Sequence, residues 1–267
     1  MIAVMYTKCM VTFIDILGFG DLIQGTRKDS GKVADVASLL VKLKKQTEDG
    51  GRVHRENGGT PEQIFHSFNF SDLTVRCTEI PSGANLSDFL NWELMYIGEL
   101  QFGFLLEGIL LRGGICLGET FIDEESKILF GPGLVKAYKL ESEYAVYPRI
   151  VIDRDYLAAI DDIGDKYWPD YVRQGDDGAY FVDYLFGSLA DSAGQLASSM
   201  LAGHRDAIRA AIDDGIHDKA ARLRQKYMWL ALYHNSTVDR LAGRFFKSNI
   251  ASDKFEGYRI PKDVLNF

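Results

Sequence analysis

The sequence predicts an α+β fold, an antiparallel-rich sheet covered by helices and followed by a helical C-terminal extension. Three observations carry that expectation. Short β-rich runs alternate with amphipathic helical stripes over residues 1–155. Beyond Asp176 the pattern changes to long helical stretches. Hydrophobic residues make up 46% of the 267, ample for one large core or two smaller ones.

Residues 6–16 hold Val11, Phe13, Ile14 and Ile16 in a β-rich run that stops at Gly18, where a tight turn is expected. Residues 32–48 place Val33, Val36, Ala37, Leu40 and Leu43 at three- and four-residue intervals, the stripe of a helix. A Gly-rich, charged linker is expected over 49–62. In 64–78 two apolar stretches flank Asn69, Ser71 and Asp72, which reads as a β-hairpin with Asp72 at or beside its polar tip. Residues 86–106 return to helical spacing, and 109–117 form a strand-like run containing Gly113 and Gly114. A third helix is expected over 134–143 and another strand over 149–153. That order suits a ferredoxin-like sandwich. One apolar segment at 179–186 then precedes helical stretches at 190–212 and 217–241, so we expect a domain over 1–175 and a mainly helical extension over 176–267. In that extension Trp229, Leu230 and Tyr233 lie at helical spacing and should be mostly buried, supporting the domain or a dimer and carrying no catalytic group.

Composition excludes several functions. With 38 acidic against 30 basic side chains the formal charge is −8, which opposes binding to a nucleic-acid backbone. The apolar runs are short, as in 102–111 where Glu107 interrupts, well below the roughly 18 residues a membrane span needs. Residues 1–8 lack a basic segment followed by an apolar one, so a cytosolic location is expected. Cys9, Cys77 and Cys116 are odd in number and far apart, which fits reduced thiols in the core or its strands.

Asp15 sits in a strand otherwise built from Phe and Ile, where a carboxylate costs several kcal/mol unless something pairs with it. Asp72 is a second isolated carboxylate, and a strand beside a hairpin can bring the two to the same cations. Two oxygen ligands with open positions suit Mg²⁺ or Mn²⁺ that also bind a phosphate chain. A single buried Asp is more often a turn cap or half of an ion pair than a metal ligand.

The flanking residues add a resemblance. Residues 13–19, Phe-Ile-Asp-Ile-Leu-Gly-Phe, resemble the first metal motif of class III nucleotide cyclases, and Phe70-Ser71-Asp72 resembles the hairpin bearing their second metal aspartate. Leu111-Arg112-Gly113-Gly114-Ile115-Cys116-Leu117-Gly118-Glu119 is similar to the family's fourth-strand signature, and residues 130–142 to its catalytic strand and helix. The resemblance covers about residues 6–160, and within the superfamily it is greatest to the bacterial pyrimidine cyclases of the Pycsar anti-phage systems.

The resemblance implies that Asp15 and Asp72 hold two divalent cations, Mn²⁺ or Mg²⁺, with the carbonyl of Ile16 as a further ligand. Amides from Leu17, Gly18 and Phe19 would cradle phosphate oxygens. It also implies a homodimer with composite sites. There a transition-state Asn and Arg come from the opposite subunit, and the matching positions here are Val135 and Lys139. Lys139 keeps the positive charge without the planar fork of Arg, and Val135 cannot hydrogen-bond to a ribose. The two places where purine cyclases of the superfamily read the base hold Phe68 and Ile128, which implies a pyrimidine nucleoside triphosphate, UTP first and CTP second. The cyclic nucleotide would act on a separate effector in anti-phage defence.

Other residues leave alternatives open. Phe13 shares a strand face with Asp15 and could touch the nucleotide or pack in the core. Arg76 could meet a phosphate or stand as an exposed strand arginine. Arg112 could serve the site or pair with Glu119. His234 and Asn235 read as core or interface, and the pairs Asp161-Asp162 and Asp213-Asp214 as solvated carboxylates. Against the enzyme stands a cyclase-like dimerisation or nucleotide-sensing module that has lost catalysis, motivated by Val135 and Lys139; a silent module has no need of two buried carboxylates.

Overall fold

The computed structural model describes residues 5–27, 29, 31–56, 64–190, 195–213, 221–246 and 253–261. The first strand, β1 (Thr7–Ile16), is followed by α1 (Phe19–Thr26), α2 (Gly31–Glu56), the hairpin β2 (Phe65–Phe70) and β3 (Leu73–Glu79), then α3 (Leu86–Leu106), β4 (Leu111–Asp123), β5 (Ile128–Phe130) and α4 (Pro132–Lys139). Then come β6 (Ile150–Ile152), α5 (Arg154–Asp162), β7 (Val172–Gln174), β8 (Tyr180–Val182), α6 (Tyr184–Ala190), α7 (Gln195–Asp213), α8 (Ala221–Phe246) and α9 (Asp253–Glu256).

The strands lie in the order β2-β3-β1-β4-β6-β8-β7, with β5 paired to β4. Every pairing is antiparallel except β4 with β6. Its first part, β2-β3-β1-β4, is the ferredoxin-like arrangement the element order predicts. Helices cover both faces, which is why β1 is apolar on both. Met10, Ile14 and Ile16 join Leu90, Leu94 and Ile97 of α3, while Cys9, Val11 and Phe13 join Val75, Cys77, Cys116 and Ala137 under α4. All three cysteines are free and buried, as expected.

Local chemistry sets the boundaries. Asn85 caps α3 by accepting the amides of Ser87 (2.9 Å) and Asp88 (3.4 Å). Pro132 opens α4. That helix lies directly on β4: a Cβ at Gly114 would stand 2.5 Å from that of Leu140, and one at Gly118 2.4 Å from Gly133 Cα. The glycines of the fourth-strand signature therefore admit the helix.

Three expectations change. The helix expected to end at 48 runs on to Glu56, through Gly50 and Gly51; residues 57–62 of the expected linker lie outside the described residues. The helix expected over 134–143 is α4 followed by a π-helical turn, Leu140–Tyr144. The apolar segment at 179–186 is the strand β8 and the start of α6, divided at buried Asp183, which accepts hydrogen bonds from Tyr233 Oη (2.7 Å) and Arg240 of α8.

The boundary placed at 175 falls in the turn between β7 and β8, where the Gly175 N–H donates to the Ala179 carbonyl (2.9 Å). One hydrophobic cluster joins Ile14, Leu90 and Ile150 to Leu201, Leu230, Tyr233 and Leu241 of α7 and α8. Leu230 and Tyr233 are buried and Trp229 is partly buried, as expected. His234 and Asn235 are internal: His234 is buried against His204, and Asn235 bonds both main-chain groups of Ile260. No helix among the described residues is long and apolar enough to cross a membrane.

Candidate active site

At one end of the sheet Asp15 stands in register with Leu73 of β3 and Arg112 of β4, and Leu73 with Phe70 of β2. Asp72 is in the two-residue β2–β3 turn beside Leu73, where Ser71 takes a left-handed conformation (φ 60°). The two aspartates the sequence singles out are thus brought together at one end of the sheet. Burial pushes the Asp15 carboxyl up from its ordinary pKa, Arg112 pulls it down, and the neighbouring Asp72 pushes it up.

The partner Asp15 needs is Arg112. Its Nη2 lies 2.8 Å from Asp15 Oδ2 and 2.7 Å from Glu141 Oε1, and its Nε donates to Asp15 Oδ2 (2.9 Å). Glu141 is buried, and burial raises its pKa while Arg112 lowers it. The π-helical turn after α4 carries Glu141, as such turns often do at functional sites. Arg112 therefore pairs with Asp15 and Glu141 rather than Glu119. Sequence reasoning missed Glu141, although its place in the 130–142 motif was a signal.

β1 ends in a turn whose pivot is Gly18, at φ 84° and with open space where a Cβ would stand. The Leu17 N–H is committed to the Leu110 carbonyl (2.8 Å), so of the three expected amides it is not the one to cradle a phosphate. The amides of Gly18 and Phe19 open α1, where main-chain donors lack intrahelical acceptors.

One row further into the sheet, Gly114, Phe13, Val75 and Phe68 stand in register across β4, β1, β3 and β2. Phe13 and Phe68 are buried, and the Phe13 ring meets Tyr138 edge-on at 5.6 Å. The β4–β5 hairpin folds back over this face. Glu124 reaches His66 of β2 (2.8 Å), and Ile128 pairs with Asp123 and is exposed.

Val135 and Lys139, with Tyr6, Phe130, Gly131, Pro132 and Lys136, line an open cleft of about 530 Å³ whose lining does not include Asp15. Phe130 and Val135 are exposed there, and Ile128 and Tyr138 are exposed as well.

Arg76 is neither at the site nor exposed. It is buried on the opposite face, gripped by Glu93 through Nε and Nη2 at 2.9 Å each and donating to the Thr47 carbonyl (2.6 Å). Alternation decides this: Thr74, Arg76 and Thr78 point to α3, whereas Leu73, Val75 and Cys77 point to α4. Asp161, Asp162 and Asp213 are exposed, as expected; Asp214 lies outside the described residues.

Among the described residues no group of three or more His, Cys, Asp or Glu side chains could hold a metal ion. What the site offers is two adjoining carboxylates, one of them short of solvent, beside the main-chain oxygen of Ile16. Such a donor set fits a hard divalent cation that keeps open positions for waters and phosphate oxygens.

No protein-family model and no curated protein matches the chain. Among solved structures, the adenylyl cyclase CyaB from P. aeruginosa is similar at 15% identity and a TM-score of 0.40, covering 66% of this chain and 94% of that one. A likeness of that size carries no functional argument, which rests on the residues.

Proposed function

We propose that the chain is a nucleotidyl cyclase that closes a ribonucleoside triphosphate to its 3′,5′-cyclic monophosphate with release of pyrophosphate. The observation that carries this reading is the meeting of Asp15 and Asp72 beside the Gly18 turn, at the end of the sheet where free helix amides begin. Asp15, Asp72 and the Ile16 carbonyl would hold the divalent cations. When bound, these supply neutralisation of the triphosphate and a more acidic ribose 3′-hydroxyl. The Gly18 and Phe19 amides receive phosphate oxygens. Arg112 retains Glu141 when Asp15 turns to a cation, so the buried glutamate keeps a counter-ion. Lys139 lines a cleft whose lining does not include Asp15 and would serve the site of a second copy, its charge set against the phosphoryl group in the transition state. A homodimer with composite sites follows, and the exposed apolar residues around α4 suit a second copy of the chain.

Phe68 and Ile128 offer no hydrogen bond to a purine edge, so the substrate class is a pyrimidine nucleotide, UTP ahead of CTP. Through the resemblance to anti-phage pyrimidine cyclases, the product would be a messenger to a separate effector. A catalytically silent nucleotide-sensing module is the second reading, favoured by Val135, which brings no hydrogen-bonding group to the cleft.

Incubation with each of the four ribonucleoside triphosphates and Mn²⁺, with mass analysis of products, tests both readings. Cyclic UMP or cyclic CMP as main product is expected; cyclic AMP or cyclic GMP refutes the base assignment, and binding without turnover selects the silent module.

A further inference from the structure

Arg149, just ahead of β6, is 2% exposed. Burying a guanidinium costs several kcal/mol unless its charge and donors are matched, yet its ion-pair partner, Asp177 of the β7–β8 turn, is half-exposed. Its Cζ lies 5.6, 5.6 and 6.0 Å from the ring centres of Tyr147, Phe181 and Trp229 of α8, a setting that an apolar side chain would fill without that cost. What the guanidinium adds is a fork of donors. Nη1 donates to Asp177 Oδ1 (3.1 Å) and Nη2 to the Tyr144 carbonyl (2.9 Å), and Tyr144 ends the π-helical turn that carries Glu141. The main chain of Arg149 is fixed on the other side: its carbonyl accepts the N–H of Gly113 (3.2 Å), the neighbour of Arg112. A ring of contacts thus closes from Arg112 to Glu141 (2.7 Å), along the turn to Tyr144, through the side chain and main chain of Arg149 to Gly113, and back to Arg112. The ring is tight, since a Cβ at Gly114 would stand 3.3 Å from the Glu141 nitrogen.

We propose that Arg149 is a positioning residue for the Arg112–Glu141 pair, and through it for divalent-cation binding at Asp15 and Asp72. Arg112 is shared between Asp15 and Glu141. While the turn holds Glu141 in place, Arg112 keeps an anion when Asp15 turns to a cation. If the turn drifts, Arg112 is left with Asp15 alone, and its charge then opposes the cation. Trp229 and Asp177 hold the guanidinium, so the C-terminal extension supports the site without supplying a group to it. The inference rests on the cyclase reading for its two cation-binding carboxylates and is independent of the base.

The test uses the full chain with Mn²⁺ alone as the probe, titrated by calorimetry, beside steady-state kinetics with the preferred nucleotide. R149M should weaken Mn²⁺ binding about tenfold, the lower end of what residues supporting metal ligands contribute, and lower kcat by a similar factor with KM changed less. R149K keeps one cationic donor for the Tyr144 carbonyl and should recover most of both; it carries the test if R149M does not fold. D177N loses the ion pair and keeps the bond to Tyr144, so it should unfold at a lower temperature yet bind Mn²⁺ as wild type does. In an E141Q background R149M should weaken binding by less than about twofold, because the path through Glu141 is already broken. Equal Mn²⁺ binding by wild type and R149M overturns the inference, as does an R149K as weak as R149M. A D177N as impaired as R149M, or a full loss in the E141Q background, makes Arg149 a support of the fold alone and overturns it too. A chain that makes cyclic nucleotide with a Mn²⁺ affinity indifferent to Arg149 refutes this inference and leaves the cyclase reading standing. Arg149-dependent Mn²⁺ binding without a cyclic product does the reverse.

Discussion

At Asp15, burial raises the carboxyl pKa above its ordinary value, Arg112 lowers it and the adjoining Asp72 raises it. Neither aspartate fills the core. D15A and D72A should each reduce turnover to background while unfolding at or above the wild-type temperature, since each removes one of two mutually repelling carboxylates; substantial Mn²⁺-supported activity in D72N would sink the two-aspartate assignment. Arg112 is the reverse case. R112M leaves Asp15 and buried Glu141 without their shared cation and should cost roughly 1–3 kcal/mol of stability, less than for a fully buried pair because Arg112 is partly exposed. Chemical denaturation at neutral pH measures it.

Among the elements, α2, β3 and α3 are fastened through Arg76. Its guanidinium is buried, bidentate to Glu93 of α3, bonded to the Thr47 carbonyl of α2, and flanked by the rings of Phe65 and Tyr96 at 4.5 and 4.1 Å. Removing one charge strands the other in the interior. E93L should therefore destabilise by roughly 3–5 kcal/mol, and the double variant R76M/E93L should recover most of that loss. A double variant no more stable than E93L would show that the pair's geometry, rather than its charge balance, holds the three elements. The same sheet end that carries Asp15 is thereby kept apart from Arg76, because β3 turns alternate residues to opposite faces.

For the whole molecule the C-terminal segment is tied in by a chain of histidines whose protons can be placed. The Tyr258 carbonyl only accepts, so His234 Nε2 carries the hydrogen of that bond (2.7 Å). His234 Nδ1 is then the acceptor from His204 Nδ1–H (3.0 Å), and Tyr184 Oη donates to His204 Nε2 (2.8 Å). Both rings must be neutral. Burial lowers the His204 pKa well below its ordinary value and brings that of His234 from 6.5 to about 4. As pH falls below 6.5 the unfolded chain takes up protons that the folded one refuses, so stability is full above 6.5 and drains toward pH 4. At about 1.4 kcal/mol per pKa unit, His234 alone accounts for roughly 3 kcal/mol over that window. The difference between wild type and H234N isolates it, since the raised carboxyls of Glu141 and Asp183 are common to both; a constant difference from pH 7.5 to 4.5 would refute the placement. Association belongs to this scale too. Mixing inactive D15A with inactive K139A should restore part of the activity, because one site of the heterodimer keeps both working halves. Subunits that exchange without recovery exclude Lys139 from acting across the interface.

The sequence by itself determined the main strands and the long helices, because alternation at two residues and recurrence at three or four record which side of each element is buried; the short elements α1, α5 and β7 it did not show. It also determined the two aspartates, since a carboxylate inside an apolar run stands out without any knowledge of its neighbours. Only the tertiary structure decided the partners: Arg112 with Asp15 and Glu141, Arg76 with Glu93, and His204 with His234. Arg76 and Arg112 look alike in the chain, each a lone arginine in an apolar strand, yet one clamps the core and the other guards the carboxylates. The physical reason is that periodicity is a local property, fixed by the chain's own geometry, whereas an ion pair depends on which distant element the fold lays against that face.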